Sequence, residues 1–174
     1  MTLATDTASE TAFETPRASF WKPLFIAFVA AQAVGGLGAL TTDLGTWYKA
    51  LNKPWWQPPD WLFGPAWTAI FALAALSAVY AWRSAPTKAS RETILVLFLS
   101  NAFFNLFWSA LFFRIQRPDW ALIEVGALWA SVLIPILVLS RYSKTAAWLL
   151  VPYISWVTFA GILNYTIVQL NPVS

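Results

Sequence analysis

The chain has 174 residues, of which 59% are hydrophobic and only 11% charged; an ordinary soluble domain carries roughly 25% charged residues, so a disordered or simply solvated chain is excluded. It contains neither Cys nor His, which rules out disulfides, Cys/His zinc sites, Ser-His-Asp or Cys-His nucleophiles, and His or Cys ligation of haem iron. The net charge of +3 comes from basic residues scattered between apolar runs rather than gathered into a stripe, a pattern that fits membrane flanks and not a nucleic-acid surface.

In chain order, residues 1–19 are polar and small, with Asp6, Glu10 and Glu14, and read as a flexible tail. A transit peptide would be Arg-rich and poor in acids, and a secretory signal would begin with a basic stretch. Ala-Ala-Gln-Ala at 30–33 imitates a cleavage site, but the segment before it is long and acidic, so the tail is expected to stay attached. Residues 20–172 are expected to form one membrane domain.

Five apolar runs follow, each near the roughly 20 residues that cross a bilayer as a helix: Trp21 to Leu40, Trp61 to Trp82, Glu92 to Phe113, Trp120 to Ser140 and Ala146 to Leu170. The connections carry Arg83, Pro86, Lys88 and Arg91, then Arg114, Arg117, Pro118 and Asp119, then Arg141 and Lys144. They are short enough to demand antiparallel neighbours. The expected fold is therefore an all-α integral membrane bundle of five transmembrane helices. The excess of Lys and Arg on the N-terminal side favours a cytoplasmic N-terminus. In the first helix Ala27, Ala31, Gly35 and Ala39 recur every fourth residue, a stripe that lets another helix approach, either within the bundle or across a homodimer seam.

The connection from Asp43 to Asp60 is unlike the others. It holds Trp47, Tyr48, Trp55 and Trp56 together with Pro54, Pro58 and Pro59. Prolines fix an extended backbone, whereas a flexible spacer would use Gly and Ser. Stiff backbone and large rings predict a preshaped lid over one end of the bundle, with a helical turn or two at Thr46 to Leu51 and Asp60 as N-cap of the next helix. An aromatic belt at headgroup level accounts for part of the same Trp content.

On the third helix Asn101, Asn105, Trp108 and Phe112 fall at i, i+4, i+7 and i+11, which puts two amides and two rings on one face, directed to the bundle interior. Asn101 reads either as a pocket group or as a bond to a neighbouring helix. Trp67, Phe71, Ala74 and Ala78 form a stripe on the second helix, and Pro152, Trp156, Phe159 and Leu163 one on the fifth, where Pro152 is expected to loosen the helix and free a carbonyl. Glu124 lies about one turn inside the fourth helix, where a carboxylate is costly, and is expected to bend back to the interface rather than serve a proton relay. No paired carboxylates, phosphate loop or nucleophile constellation appears.

The runs W-Y-K-A-L-N-K-P-W-W-Q-P-P-D-W-L-F-G-P-A-W-T (47–68), N-L-F-W-S-A-L-F-F (105–113), W-A-L (120–122), V-P-Y-I-S-W (151–156) and L-N-Y (163–165) resemble the TspO/MBR family, over about residues 21–170. Several separated motifs in order make this more specific than any single pattern. The resemblance implies a five-helix bundle in a bacterial cell membrane, commonly a homodimer, that contacts lipid and binds porphyrins such as protoporphyrin IX. It implies that Tyr48, Trp67, Asn105 and Trp156 line the ligand cavity, with Trp108, Phe71, Phe159 and Ala160 counted beside them. Trp47, Lys49, Lys53, Pro54, Trp55 and Trp56 form the lid, and Lys49 and Lys53 are available to porphyrin propionates. Trp67 and Trp156 match positions linked to porphyrin breakdown in some members, so a light- and oxygen-dependent degrading enzyme is the alternative to a protein that senses, sequesters or transports its ligand. No resident cofactor and no metal are expected. Metal-free protoporphyrin is therefore expected to bind at least as well as haem. The sterol-recognition pattern of animal members lacks its basic residue here, since Thr166 to Leu170 contain no Lys or Arg, so sterol binding receives little support.

Overall fold

The computed structural model describes residues 20–172, and the expected tail at residues 1–19 lies outside that range; residues 30–33, which imitate a cleavage site, lie within the first long helix. Among the described residues there are helices and no strands. They are α1 (Trp21–Thr41), the short α2 (Thr46–Ala50), α3 (Phe63–Ser84), α4 (Lys88–Ser109), α5 (Pro118–Leu139), the short α6 (Lys144–Leu149) and α7 (Val151–Leu170). A 3-10 turn at Asp60–Leu62 leads into α3, and a π turn at Ala110–Arg114 ends α4. Counted with these turns, five segments are long and apolar enough to cross a membrane, as the sequence predicts.

The boundaries differ from expectation where local chemistry overrides hydropathy. Helix α4 begins at Lys88, a turn before Glu92, because Thr87 caps it: its Oγ1 accepts from the Ser90 N–H at 3.1 Å. Lys88 and Arg91 thus belong to the helix rather than to the linker. Pro118 starts α5 at a position where its missing N–H costs nothing. The expected fifth helix is two pieces. Ser143 caps α6, accepting from Ala146 N–H at 3.2 Å; the helix ends at Leu149, and Pro152 falls in the first turn of α7. Pro152 therefore sits at a helix start, and does not loosen the interior of a long one.

Helix α3 packs against α1 and α6, and α5 lies between α4 and α7. Ile70, Ala74, Ile94, Leu128, Val132, Tyr153 and Val157 make the main core, while Tyr48, Leu111, Phe112, Ala121, Leu163 and Ile167 pack as a second cluster beneath the lid. No residue of α1 is buried, so this helix lies on the flank of the bundle. Trp21, Trp82, Trp120, Trp129 and Trp148 are exposed, which matches rings facing lipid and headgroups. Arg117 donates through Nε and Nη2 to the Asp119 carboxylate and lies over the Trp120 ring at 4.5 Å, bracing the α4–α5 turn.

Buried polar groups tie the helices together. Ser77 Oγ donates to the Ala146 carbonyl at 2.7 Å, and Asn101 Nδ2 donates to Ser131 Oγ at 2.9 Å, joining α4 to α5. That is the helix-bonding reading of Asn101. Glu124 corrects another expectation. It is only 7% exposed, and neither carboxylate oxygen has a hydrogen-bond partner among the described residues. It shares the inner face of α5 with Ala121, Leu128 and Ser131, at i−3, i+4 and i+7. From that face the side chain has no path to the membrane interface.

Candidate functional site

A cavity of about 580 Å³ lies between α1, α3, α4 and α7 under the lid, within the range of small-molecule pockets. Gly35, Gly36, Gly38 and Ala39 of α1 form one wall, and their small side chains are what leave the space. Gly35 is pressed on the ring of Phe71, where an added Cβ would stand 2.9 Å from Cδ2. The half of the small-residue stripe nearest the lid is thus an intrachain packing surface and a cavity wall.

Helix α3 supplies Phe63, Trp67 and Phe71, helix α4 supplies Asn105, Trp108 and Ser109, and α7 supplies Trp156 and Ala160. Trp67 stacks on Phe71 with centroids 5.3 Å apart and meets Trp156 edge to face at 6.5 Å. Tyr153 stands behind this pair, 5.8 Å from Trp67, and its hydroxyl accepts from Asn105 Nδ2 at 3.2 Å. Trp108 Nε1 and Trp156 Nε1 are buried N–H donors with no partner among the described residues. An unpaired buried donor is costly, so both positions suit a ligand that brings an acceptor.

The lid closes the end of this space by a specific latch. Tyr48, 5% exposed, donates from its hydroxyl to Asp60 Oδ1 at 2.8 Å, while Gln57 Nε2 donates to the Tyr48 oxygen at 3.1 Å and to Asp60 Oδ1 at 3.2 Å. Burial and the Asp60 carboxylate push the Tyr48 hydroxyl pKa well above the ordinary tyrosine value. Asp60 opens the 3-10 turn and its side chain caps no helix N–H; the capping expectation is replaced by this latch. At the outer edge Asn52 N–H donates to Asn171 Oδ1 and Asn171 Nδ2 to the Asn52 carbonyl, both at 2.9 Å, pinning the lid to the end of α7.

Of the residues singled out from sequence, Tyr48, Trp67, Phe71, Asn105, Trp108, Trp156 and Ala160 line the cavity. Phe159 does not. It packs against Trp56 at 5.9 Å and Trp156 at 5.5 Å, and faces a shallow groove with Ala66, Ile70 and Pro152. Phe112 is also outside, stacked on Trp108 at 5.3 Å, and Phe113 takes its place in the wall. The π turn is the cause: its wider turn rotates Phe113 onto the face of Asn105 and Ser109. None of Trp47, Lys49, Lys53, Pro54, Trp55 and Trp56 lines the cavity. Trp47 packs on Phe112 at 6.0 Å, the Pro54 carbonyl accepts from Gln57 N–H at 3.0 Å, and Trp55 is 95% exposed. Lys53 Nζ lies over the Tyr48 ring at 3.7 Å. The lid contributes Leu44, Tyr48 and Asp60 to the wall instead. Sequence reasoning missed the wall made by α1, although the run G-G-L-G at 35–38, three glycines in four residues with no side chains to fill the space beside them, is its visible signal.

The model of the TspO/MBR family matches residues 20–170. The chain is 42% identical over 142 residues to Tryptophan-rich protein TspO of Chlorobaculum tepidum, covering 80% of this chain and 90% of that one. It is 37% identical over 150 residues to Tryptophan-rich protein TspO of Archaeoglobus fulgidus, covering 85% and 96%. Translocator protein of Bos taurus is 31% identical over 157 residues, covering 88% and 92%.

Proposed function

As the chain belongs to the TspO/MBR family, an integral, multi-pass membrane protein, we propose that it binds flat, conjugated tetrapyrroles of the protoporphyrin IX type and senses, sequesters or moves them. The observation that carries this reading is the about 580 Å³ cavity walled by the indoles of Trp67, Trp108 and Trp156. Ring faces stack on a conjugated macrocycle, and an apolar cleft with a few directed donors is the usual composition of a small-molecule site. Movement of the ligand is brought over from the name translocator protein of the Bos taurus relative.

The test is a titration of protoporphyrin IX into the protein in lipid nanodiscs, read by quenching of Trp fluorescence. Saturable quenching is expected, together with a loss of roughly tenfold or more in affinity for Ala160→Leu, which fills the cavity. Quenching that never saturates, or that Ala160→Leu leaves untouched, contradicts the reading. Metal-free protoporphyrin is expected to bind at least as well as haem.

A second reading, light- and oxygen-dependent porphyrin degradation, is favoured by the direct contact of Trp67 and Trp156 in the cavity wall. Bleaching of bound porphyrin only under illumination, abolished by Trp67→Phe or Trp156→Phe, supports it; unchanged pigment returns the protein to plain binding. Membrane lipid and a second copy of the chain are the proposed macroscopic partners. Crosslinking in native membranes tests the homodimer.

A further inference from the structure

The charge at the mouth of the cavity has the opposite sign from what a porphyrin dicarboxylate needs. Among the described residues of the wall, the charged side chain is Asp60. Lys49 and Lys53, the cations nearest in sequence, stand outside it, and the Lys53 ammonium is engaged by the Tyr48 ring at 3.7 Å. Neither lysine pairs with Asp60: the ion pairs of the described residues are Lys88 with Glu92 and Arg117 with Asp119. The hydrogen bonds from Tyr48 and Gln57 converge on Oδ1, which leaves Oδ2 as an open acceptor at the cavity wall. Beside it Gln57 Oε1 is buried and has no donor among the described residues. Asp60 is exposed at the lid end, so the lid end of the wall carries a negative charge, while the unpartnered buried donors of the cavity are the indoles of Trp108 and Trp156.

We propose that Asp60 sets the charge preference of this site: the lid end admits neutral, hydrogen-bond-donating or cationic edges and discriminates against carboxylates. The inference rests on the cavity being the tetrapyrrole site proposed above. A porphyrin with free propionates then binds against repulsion, and its uncharged ester does not meet that repulsion. For a carboxylate brought to an assumed separation of about 6–7 Å from Asp60, in surroundings between protein surface and water, the repulsion is enough to change affinity by about three- to tenfold, less at high salt.

The experiment compares protoporphyrin IX with its dimethyl ester in nanodiscs at low ionic strength, by Trp quenching, for the wild-type protein, Asp60→Asn and Tyr48→Phe. Asp60→Asn keeps an oxygen for the Tyr48 hydroxyl and removes the charge; Tyr48→Phe removes the latch bond and keeps the charge. Comparing the acid-to-ester ratio of dissociation constants between variants in the same nanodiscs cancels the partitioning of each compound into lipid. The acid-to-ester ratio is expected to fall about three- to tenfold in Asp60→Asn, to stay at the wild-type value in Tyr48→Phe, and to lose its dependence on Asp60 in high salt. An unchanged or higher ratio in Asp60→Asn, or an equal fall in Tyr48→Phe, overturns the inference while leaving tetrapyrrole binding intact. Absence of saturable quenching by both compounds removes the underlying binding reading and the inference with it.

Discussion

Replacing Gly35 by Ala places a methyl group 2.9 Å from Cδ2 and 3.1 Å from Cε2 of Phe71. The Phe71 ring is buried and stacked on Trp67 at 5.3 Å, and it is a stiff body rather than the end of a flexible chain. To give way it must push the Trp67 pair toward the cavity, whose wall both rings share. Overpacking of this kind costs about 1–3 kcal/mol. The helix gains about 0.5–1 kcal/mol on losing a glycine, so the net destabilisation is about 0–2.5 kcal/mol, with a middle value of about 1 kcal/mol. At about 2–4 °C per kcal/mol for a chain of this size, the melting temperature in detergent should fall by several degrees. Displaced ring stacking, worth about 0.5–1.5 kcal/mol, should weaken protoporphyrin quenching by about two- to tenfold. Gly126→Ala is the control, because an added Cβ there meets nothing within 4 Å; it should hold or raise the melting temperature. Equal stability of the two variants with unchanged protoporphyrin affinity in Gly35→Ala would refute the account of the α1 wall.

Two further outcomes are expected. Glu124→Leu removes a buried carboxyl that has no hydrogen-bond partner among the described residues and should raise thermal stability, by about 1–3 kcal/mol; a lower melting temperature would mean that the carboxyl is satisfied in the membrane. The chain has no Cys, so single cysteines report topology cleanly. With a cytoplasmic N-terminus, Ser140→Cys should react with a membrane-impermeant maleimide only after cells are opened, and Trp55→Cys in intact cells. The reverse pattern inverts the orientation.

The spans were legible because membrane crossing depends on the length and apolarity of a run, and each run from Trp21 onward has both. What the runs did not carry was register. The π turn after Ser109 replaces Phe112 by Phe113 in the cavity wall, and a periodicity of 3.6 has no symbol for the extra residue. Asp60 had the sequence position of a cap, but a tyrosine twelve residues earlier competes for its oxygen, a contact set by how the lid folds back. Glu124 was misread although Ala121, Leu128 and Ser131 gave its face away: small, apolar and hydroxyl groups at helical spacing mark the packed side of α5. The ring-bearing positions, Trp67, Trp108 and Trp156, were visible as residues. Of the α1 glycines only Gly35 was visible, in a stripe read as helix packing within the bundle or a homodimer seam and not as a cavity wall, because what the glycines contribute to the site is the absence of side chains.

The most direct test of the binding site is the indole N–H region of a nitrogen-15 spectrum of the protein in nanodiscs, recorded as protoporphyrin IX is added. Porphyrin ring currents displace nearby resonances strongly, and the 12 Trp report separately once assigned by substitution. The account predicts that the largest shifts fall on Trp108 and Trp156, whose buried N–H groups are unpartnered, and on Trp67 beside them, while Trp21 and Trp148 on the outer surface stay in place. Shifts confined to exposed indoles such as Trp55 and Trp61, with the three cavity resonances unmoved, would contradict it.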